Sequence, residues 1–319
     1  MNLPKIHSIT KKILVALVGS FLLVFLLFHM TANLFILRHD EGAWYSAFCH
    51  FMGTNWIVKV FEIVLLGVIA LHILLTLWLA ITNRLARPVR YHEASKSKTH
   101  TTSKLMVWTG ILIFVCLILH FCDFYFVKLG FVKGEYMVKT EKLQDQEIMG
   151  LVQYSQQMGL TPEEMIDELE AQSAMYTDEN GDATEVEEYI GKMRDQLGII
   201  NIVQRASEEG NITGDGKWIR HLTYDERQTL RKVLPESDPE PDFYYMVREK
   251  FHHWHIVLGY LFFFFVIFMH LRHAFPSAFQ TLGLNNYKYN NIIEALGSIY
   301  TWIVVLGFAI VPILVYLGL

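Results

Sequence analysis

Apolar residues in this chain gather into five long runs, and polar residues gather between them. The runs fall at about 13–37, 56–82, 105–127, 254–275 and 292–317. A helix needs roughly 20 apolar residues to cross the hydrocarbon core of a bilayer. Each run meets that length, so the pattern predicts an all-α membrane protein with five transmembrane helices. The first run is too long for a signal peptide and lacks a small-residue cleavage site after it. Residues 128–250 contain no such run. The expected organisation is therefore helices I–III in 1–127, a polar insertion in 128–250 and helices IV–V in 251–319.

Charge sharpens this division. The 319-residue chain has a formal net charge of −5. Residues 128–250 hold 26 acidic and 14 basic residues, whereas the remainder holds 6 acidic and 13 basic. The insertion thus reads as a water-exposed acidic module. Basic residues in short loops mark the cytoplasmic side of a membrane protein. Lys5, Lys11 and Lys12 precede helix I. Arg84, Arg87, Arg90, Lys96, Lys98 and Lys104 lie between helices II and III, and Arg272 and Lys288 flank the IV–V connection. The loop from Arg38 to Asn55 sets Arg38 against Asp40 and Glu41. This predicts a cytoplasmic N-terminus, with the insertion and the C-terminus outside. Trp44, Trp56, Trp254 and Trp302 read as interfacial anchors near helix ends. No feature calls for nucleic acid.

Four of the five runs carry a histidine past their midpoint: His29, His72, His120 and His270. Ionisable groups inside a membrane are costly and mark function. With the predicted topology, His29 and His120 fall toward the outer face and His72 and His270 toward the cytoplasm. Each lies about four residues past its helix centre, which separates two levels by roughly 12 Å. One such histidine could simply hydrogen-bond a neighbouring helix. Four at alternating depth suggest two haems, each held between imidazoles of two helices. The three cysteines, Cys49, Cys116 and Cys122, form no CxxCH or CxxC, so the haems are expected to be b-type. His273, one turn beyond His270, is the competing ligand on helix IV and reads as facing a propionate. His7, His92, His100 and His221 are expected in solvent, as are His39 and His50 of the outer loop. His252, His253 and His255 are expected at the membrane interface.

The segments FLLFHMTANLF around His29, FEIVLLGVIALH ending at His72, WTGILIFVCLILHF around His120 and HLRHAFPSAFQTLGLNN from His270 resemble a known family. It is the dihaem cytochrome b anchor subunit of succinate dehydrogenases and fumarate reductases with one large membrane subunit. The resemblance spans the five helices and not the insertion. It implies that the first four helices form a dihaem bundle. His29 and His120 would bind the distal haem, and His72 and His270 the proximal one. It implies a flavoprotein partner carrying FAD, an iron–sulfur partner, and a membrane quinone, typically menaquinone, as substrate. It also implies a bacterial inner membrane. The chain itself has no GxGxxG unit and no cysteine clusters, so dicarboxylate chemistry belongs to the partners. The expected function is electron transfer between the iron–sulfur subunit and quinone. The alternatives are a cytochrome b of a hydrogenase or formate dehydrogenase type, and a haem-free transporter.

Other residues follow from these roles. Haem propionates need cationic or hydrogen-bonding ends, and Lys12, Lys104, Trp108 and Arg272 are candidates. The family often has a basic residue where this chain has Val107, which puts the role on Lys104. Gly19, Gly67, Gly110 and Gly259 lie N-terminal of the local histidine, at the level of the other pair. Quinone reduction consumes protons, and Glu62 and Asp123 are the carboxylates of helices I–III near the outer level. Some family members carry a glutamate two residues before the helix IV ligand; Phe268 stands there, so no proton path is expected at that position. The 84–104 loop and residues 277–291 are the expected dock for the iron–sulfur partner. In the insertion, Thr161-Pro162-Glu163-Glu164 reads as a capping box, and Thr184 with Glu187 and Thr223 with Glu226 repeat it. Asp178, Asn180 and Asp182 hint at a calcium loop, but Ala183 and Tyr189 stand where glycine and glutamate are needed, so a solvated turn is expected.

Overall fold

A computed structural model describes residues 8–40, 42–86, 101–144, 146–176, 183–284, 286 and 288–318; at 8, 101–104, 173–176 and 183–186 it describes the backbone alone. The chain is mostly helical. It divides into two compact units, Met1–Phe121 with Val247–Leu319, and Cys122–Met246.

Five described helices are long and apolar enough to cross a membrane: Ile9–Leu37, Trp56–Leu85, Leu105–Lys128, Trp254–Thr281 and Asn290–Tyr316. They identify a multi-pass membrane protein. In chain order the elements around them are α1 (Ser8–Leu34), α2 (Ala43–Thr54), α3 (Trp56–Leu85) and α4 (Thr101–His120). A π-helical turn, Phe121–Tyr125, and the short α5 (Phe126–Lys128) extend the third span. After the insertion come α10 (Phe243–His252), α11 (Trp254–Thr281) and α12 (Asn290–Tyr316). Side chains such as Ile63, Leu74 and Phe265 are more than half exposed. Such an apolar exterior suits lipid as the solvent, because helix backbones satisfy their own hydrogen bonds there.

Within this unit α11 packs against α12, α4 and α1, while α1 also packs against α3 and α12. The buried centre is Phe263, Phe264, Ile267 and Leu271 of α11 with Val304 and Val305 of α12. α11 and α12 each run through a proline, Pro276 and Pro312. The Tyr300 hydroxyl of α12 donates to the Leu23 carbonyl of α1 at 2.6 Å.

Two expectations change here. The 38–55 segment is mostly helix rather than loop: α2 occupies it, and Asn55 caps α3 by accepting from Ile57 and Val58 at 2.9 and 3.4 Å. Tyr45 and Ser46 are the buried residues of α2, and its burial of aromatic and small residues is what a loop reading overlooks. Trp302 is not at a helix end. It lies midway along α12, its ring 4.8 Å from that of Phe268.

The second unit contains α6 (Gln146–Met158), α7 (Pro162–Tyr176), α8 (Ala183–Glu208) and α9 (Tyr224–Val233). Beside them is an antiparallel sheet of β1 (Tyr136–Lys139), β2 (Trp218–Leu222) and β3 (Glu240–Pro241), in the order β2-β1-β3. A sheet was not expected, because strands this short leave too few positions for alternation to register. Tyr136, Val138, Ile219 and Leu222 join Ile199, Ile202 and Leu230 in one core. Leu151, Met165, Ile166, Ile190 and Met193 form another. The Thr161–Glu164 box closes in both directions, at 2.8 and 3.2 Å, and the Thr223–Glu226 box also forms. The side chain of Thr184 and residues 178, 180 and 182 lie outside the described residues.

His221 is a correction. It is half-buried rather than solvated, its ring edge-on to Tyr245 with centroids 3.7 Å apart. It lies within β2, where the pairing with β1 shifts register between Ile219 and Leu222, and it takes φ 58 there.

Candidate functional site

The long helices of the first unit bring the four histidines together in two groups. At one level are His29 of α1 and His120 at the end of α4. Their ring centroids lie 6.0 Å apart and their planes meet at 81°. Phe25, one turn before His29, stacks on it at 5.4 Å, and Phe308 of α12 lies 5.7 Å away. The Tyr260 hydroxyl of α11 lies 3.4 Å from His120 Nδ1. Asn33 donates to the His29 carbonyl at 2.8 Å, and its amide nitrogen is 3.5 Å from His29 Nδ1. The Tyr45 hydroxyl donates to Asn33 Oδ1 at 3.3 Å.

At the other level, His72 of α3 lies against Gly19 of α1, where a Cβ would stand 3.6 Å from its Cε1. His270 of α11 lies against Gly110 of α4, where a Cβ would stand 3.7 Å from its Cε1. Thr109 Oγ1 is 3.1 Å from His270 Nδ1. His270 is close enough to both His72 and His273 to interact with them electrostatically. His72 Nδ1 is buried and has no hydrogen-bond partner among the described residues.

Helix geometry relates the levels. Tyr260 is ten residues before His270 on α11, and Gly110 is ten before His120 on α4. Ten residues of helix rise about 15 Å. The antiparallel pair α4–α11 therefore carries one histidine at each level and a contact for the other helix's histidine at the same level.

This donor set has a definite chemistry. A bare zinc ion takes three or four protein ligands. Among the described residues no group of three or more His, Cys, Asp or Glu could hold one. The histidines come in pairs instead. His29 and His120, with ring centroids 6.0 Å apart, would be one pair that could hold a metal. A pair of imidazoles suits a metal that brings its other ligands with it, as haem iron does. The orphaned nitrogen of His72 and the open glycine surfaces fit the same kind of occupant.

The other candidates are placed as follows. Lys12 is exposed, and Lys11 lies over the Trp78 ring at 3.8 Å. Trp108 is 66% exposed, on the outside of α4, whereas its neighbour Thr109 is buried at His270. Arg272 donates to Ser298 Oγ of α12. The Lys104 side chain, and Arg87, Arg90, Lys96 and Lys98, lie outside the described residues. Gly67 and Gly259 face open space. Glu62 is half-buried on α3; Asp123 is half-buried in the π-helical turn after His120 and belongs to the second unit. His252, His253 and His255 are exposed, and His253 lies 3.8 Å from Glu249.

Thr109, Tyr260 and Asn33 are the contacts that sequence reasoning missed. Their signal was present: each is a polar side chain in an apolar run, four, ten or eleven residues from the histidine of its own helix. Compared with known proteins, the chain matches no family model, no curated protein and no solved structure.

Proposed function

We propose that this chain is the dihaem cytochrome b subunit of a succinate dehydrogenase or fumarate reductase. It would anchor a flavoprotein and an iron–sulfur subunit at a bacterial inner membrane, with the N-terminus cytoplasmic and residues 128–250 outside. The pairing of His29 with His120 and of His72 with His270, at two levels of one bundle, carries this reading. His72 and His270 hold the haem proximal to the iron–sulfur partner, and His29 and His120 hold the distal one. Each bound haem b supplies a one-electron carrier within the membrane. The protein's part is to fix the imidazoles and keep water away. Phe25 and Phe308 line the His29 ring with apolar surface, and Thr109 and Tyr260 hold the outward nitrogens of His270 and His120. Glu62 and Asp123 are the proposed proton donors to quinone, most simply menaquinone.

The test is haem content. Purified protein should show a b-type spectrum with two haems per chain. Replacing His72 or His270 with alanine should remove one, and replacing His29 or His120 the other. Full haem content in all four variants would overturn the reading. Succinate- or fumarate-linked reduction of the spectrum, with flavoprotein and iron–sulfur subunits co-purifying, separates this complex from other cytochrome b assemblies.

A further inference from the structure

The two imidazoles of the inner level are not held alike. His72 Nδ1 is buried without a hydrogen-bond partner among the described residues. His270 Nδ1 has the Thr109 hydroxyl at 3.1 Å. That hydroxyl has one proton, and two backbone carbonyls compete for it: Leu105 at 3.2 Å and Met106 at 3.0 Å. A threonine within a helix commonly donates to the preceding turn in this way. With its proton given to the helix, the oxygen is left as an acceptor toward His270. Gly110, the next residue, has no side chain to push the helices apart, so the contact is direct.

We infer that Thr109 is a positioning residue for the inner metal site: it accepts the Nδ1–H of His270, and so selects Nε2 as the nitrogen that binds metal. This rests on the haem-binding reading above and adds an electronic consequence. A ligand imidazole whose far N–H is hydrogen-bonded is a more basic donor, and such partners tune affinity and potential. At the other level the Tyr260 hydroxyl stands 3.4 Å from His120 Nδ1.

The experiment uses the full chain, purified with its haems, as Thr109→Val and Thr109→Ser. Valine keeps the shape and removes the acceptor; serine restores the hydroxyl. Haem per chain is read by absorbance, and each midpoint potential by optical redox titration. The inner haem is identified as the one lost in His270→Ala. In Thr109→Val its reduction equilibrium should shift about tenfold toward the reduced form, which is ~59 mV for one electron. The other haem should not move, and Thr109→Ser should titrate as the parent does. Should valine cost the inner haem outright, its retention at the parental potential in the serine variant carries the inference instead. Unchanged potentials in Thr109→Val, or a serine variant no better than valine, would overturn it. A parent protein without haem would instead sink the functional reading itself, so the two failures are distinct.

Discussion

His221 occupies a left-handed backbone conformation, φ 58, which is uncommon outside glycine but is adopted more often by asparagine, aspartate and histidine than by other side chains. Its imidazole is half-buried against Tyr245, and burial lowers its pKa from 6.5; Asp242 and Glu209 pull the other way, while Arg220 and Arg205 add to the lowering. The sign follows from linkage. The fold favours the neutral ring, so the unfolded chain binds the extra proton, and His221's contribution is present above pH 6.5 and is lost as the pH falls below it. The second unit should therefore lose stability as the pH falls below 6.5. His221→Asn tolerates the same backbone without titrating, so its stability should be flatter below that pH. Hydrogen exchange at the Leu222 amide measures both; equal slopes in parent and variant would discard the argument. This residue shows what the sequence hides. A histidine in a polar stretch looks solvated, yet here it sits in a strand whose pairing is irregular, with its ring against Tyr245. His29, His72, His120 and His270 were legible for the opposite reason: an imidazole among twenty apolar residues has no solvent to explain it.

At the scale of elements, one spacing organises the bundle. Contacts ten or eleven residues before a helix's own histidine meet the histidine of a neighbour: Gly19 meets His72, Gly110 and Thr109 meet His270, and Tyr260 meets His120. The five spans were readable because length and hydropathy suffice for them. Partner choice was not, since apolar helices in lipid look alike on every face. Small residues decide it by letting helices approach. Gly307 of α12 is such a point: a Cβ there would fall 2.8 Å from Cγ of Met30, and nearer still to its sulfur. Met30 is the buried neighbour of His29, at 4% exposure. Gly307→Leu should overpack this contact and cost about 1–3 kcal/mol, a typical penalty for added volume in a filled core. The expected readout is a lower thermal midpoint in detergent, partly recovered by Met30→Ala in the same chain. A midpoint unmoved by Gly307→Leu would mean that α12 does not press on α1 there. The short strands and α2 escaped the sequence reading because 2–12 residues carry too little periodic pattern to outweigh their polar surroundings.

At the scale of the molecule, the division into two units has a thermodynamic meaning that one buried ion pair can expose. Asp242 is fully buried; it accepts from Arg220 Nε and Nη2, both at 2.6 Å, and from the Tyr245 amide at 3.1 Å. It thus ties β2 to the start of α10 and caps that helix. Removing one partner of a buried pair leaves the other charge uncompensated, at about 3–5 kcal/mol. The Tyr244 ring also lies beside Arg220, 5.0 Å away. The cores of Cys122–Met246 are its own, built from Tyr136, Ile199, Leu222 and Leu230, and from Ile166 and Met193. The core around Phe264 of α11 and Val304 of α12 belongs to the first unit. Asp242→Ala should therefore open the second unit to protease while the first keeps its helical signal and, on the proposed function, its two haems. Limited proteolysis followed by absorbance of the surviving membrane fragment reads both units from one sample. Should the haem signal vanish together with the insertion, the chain folds as one cooperative body. The polar insertion would then be a structural requirement of the bundle rather than a module hung on it. On the proposed function, retention of both haems after the insertion has been cut away would place their binding in the helices alone.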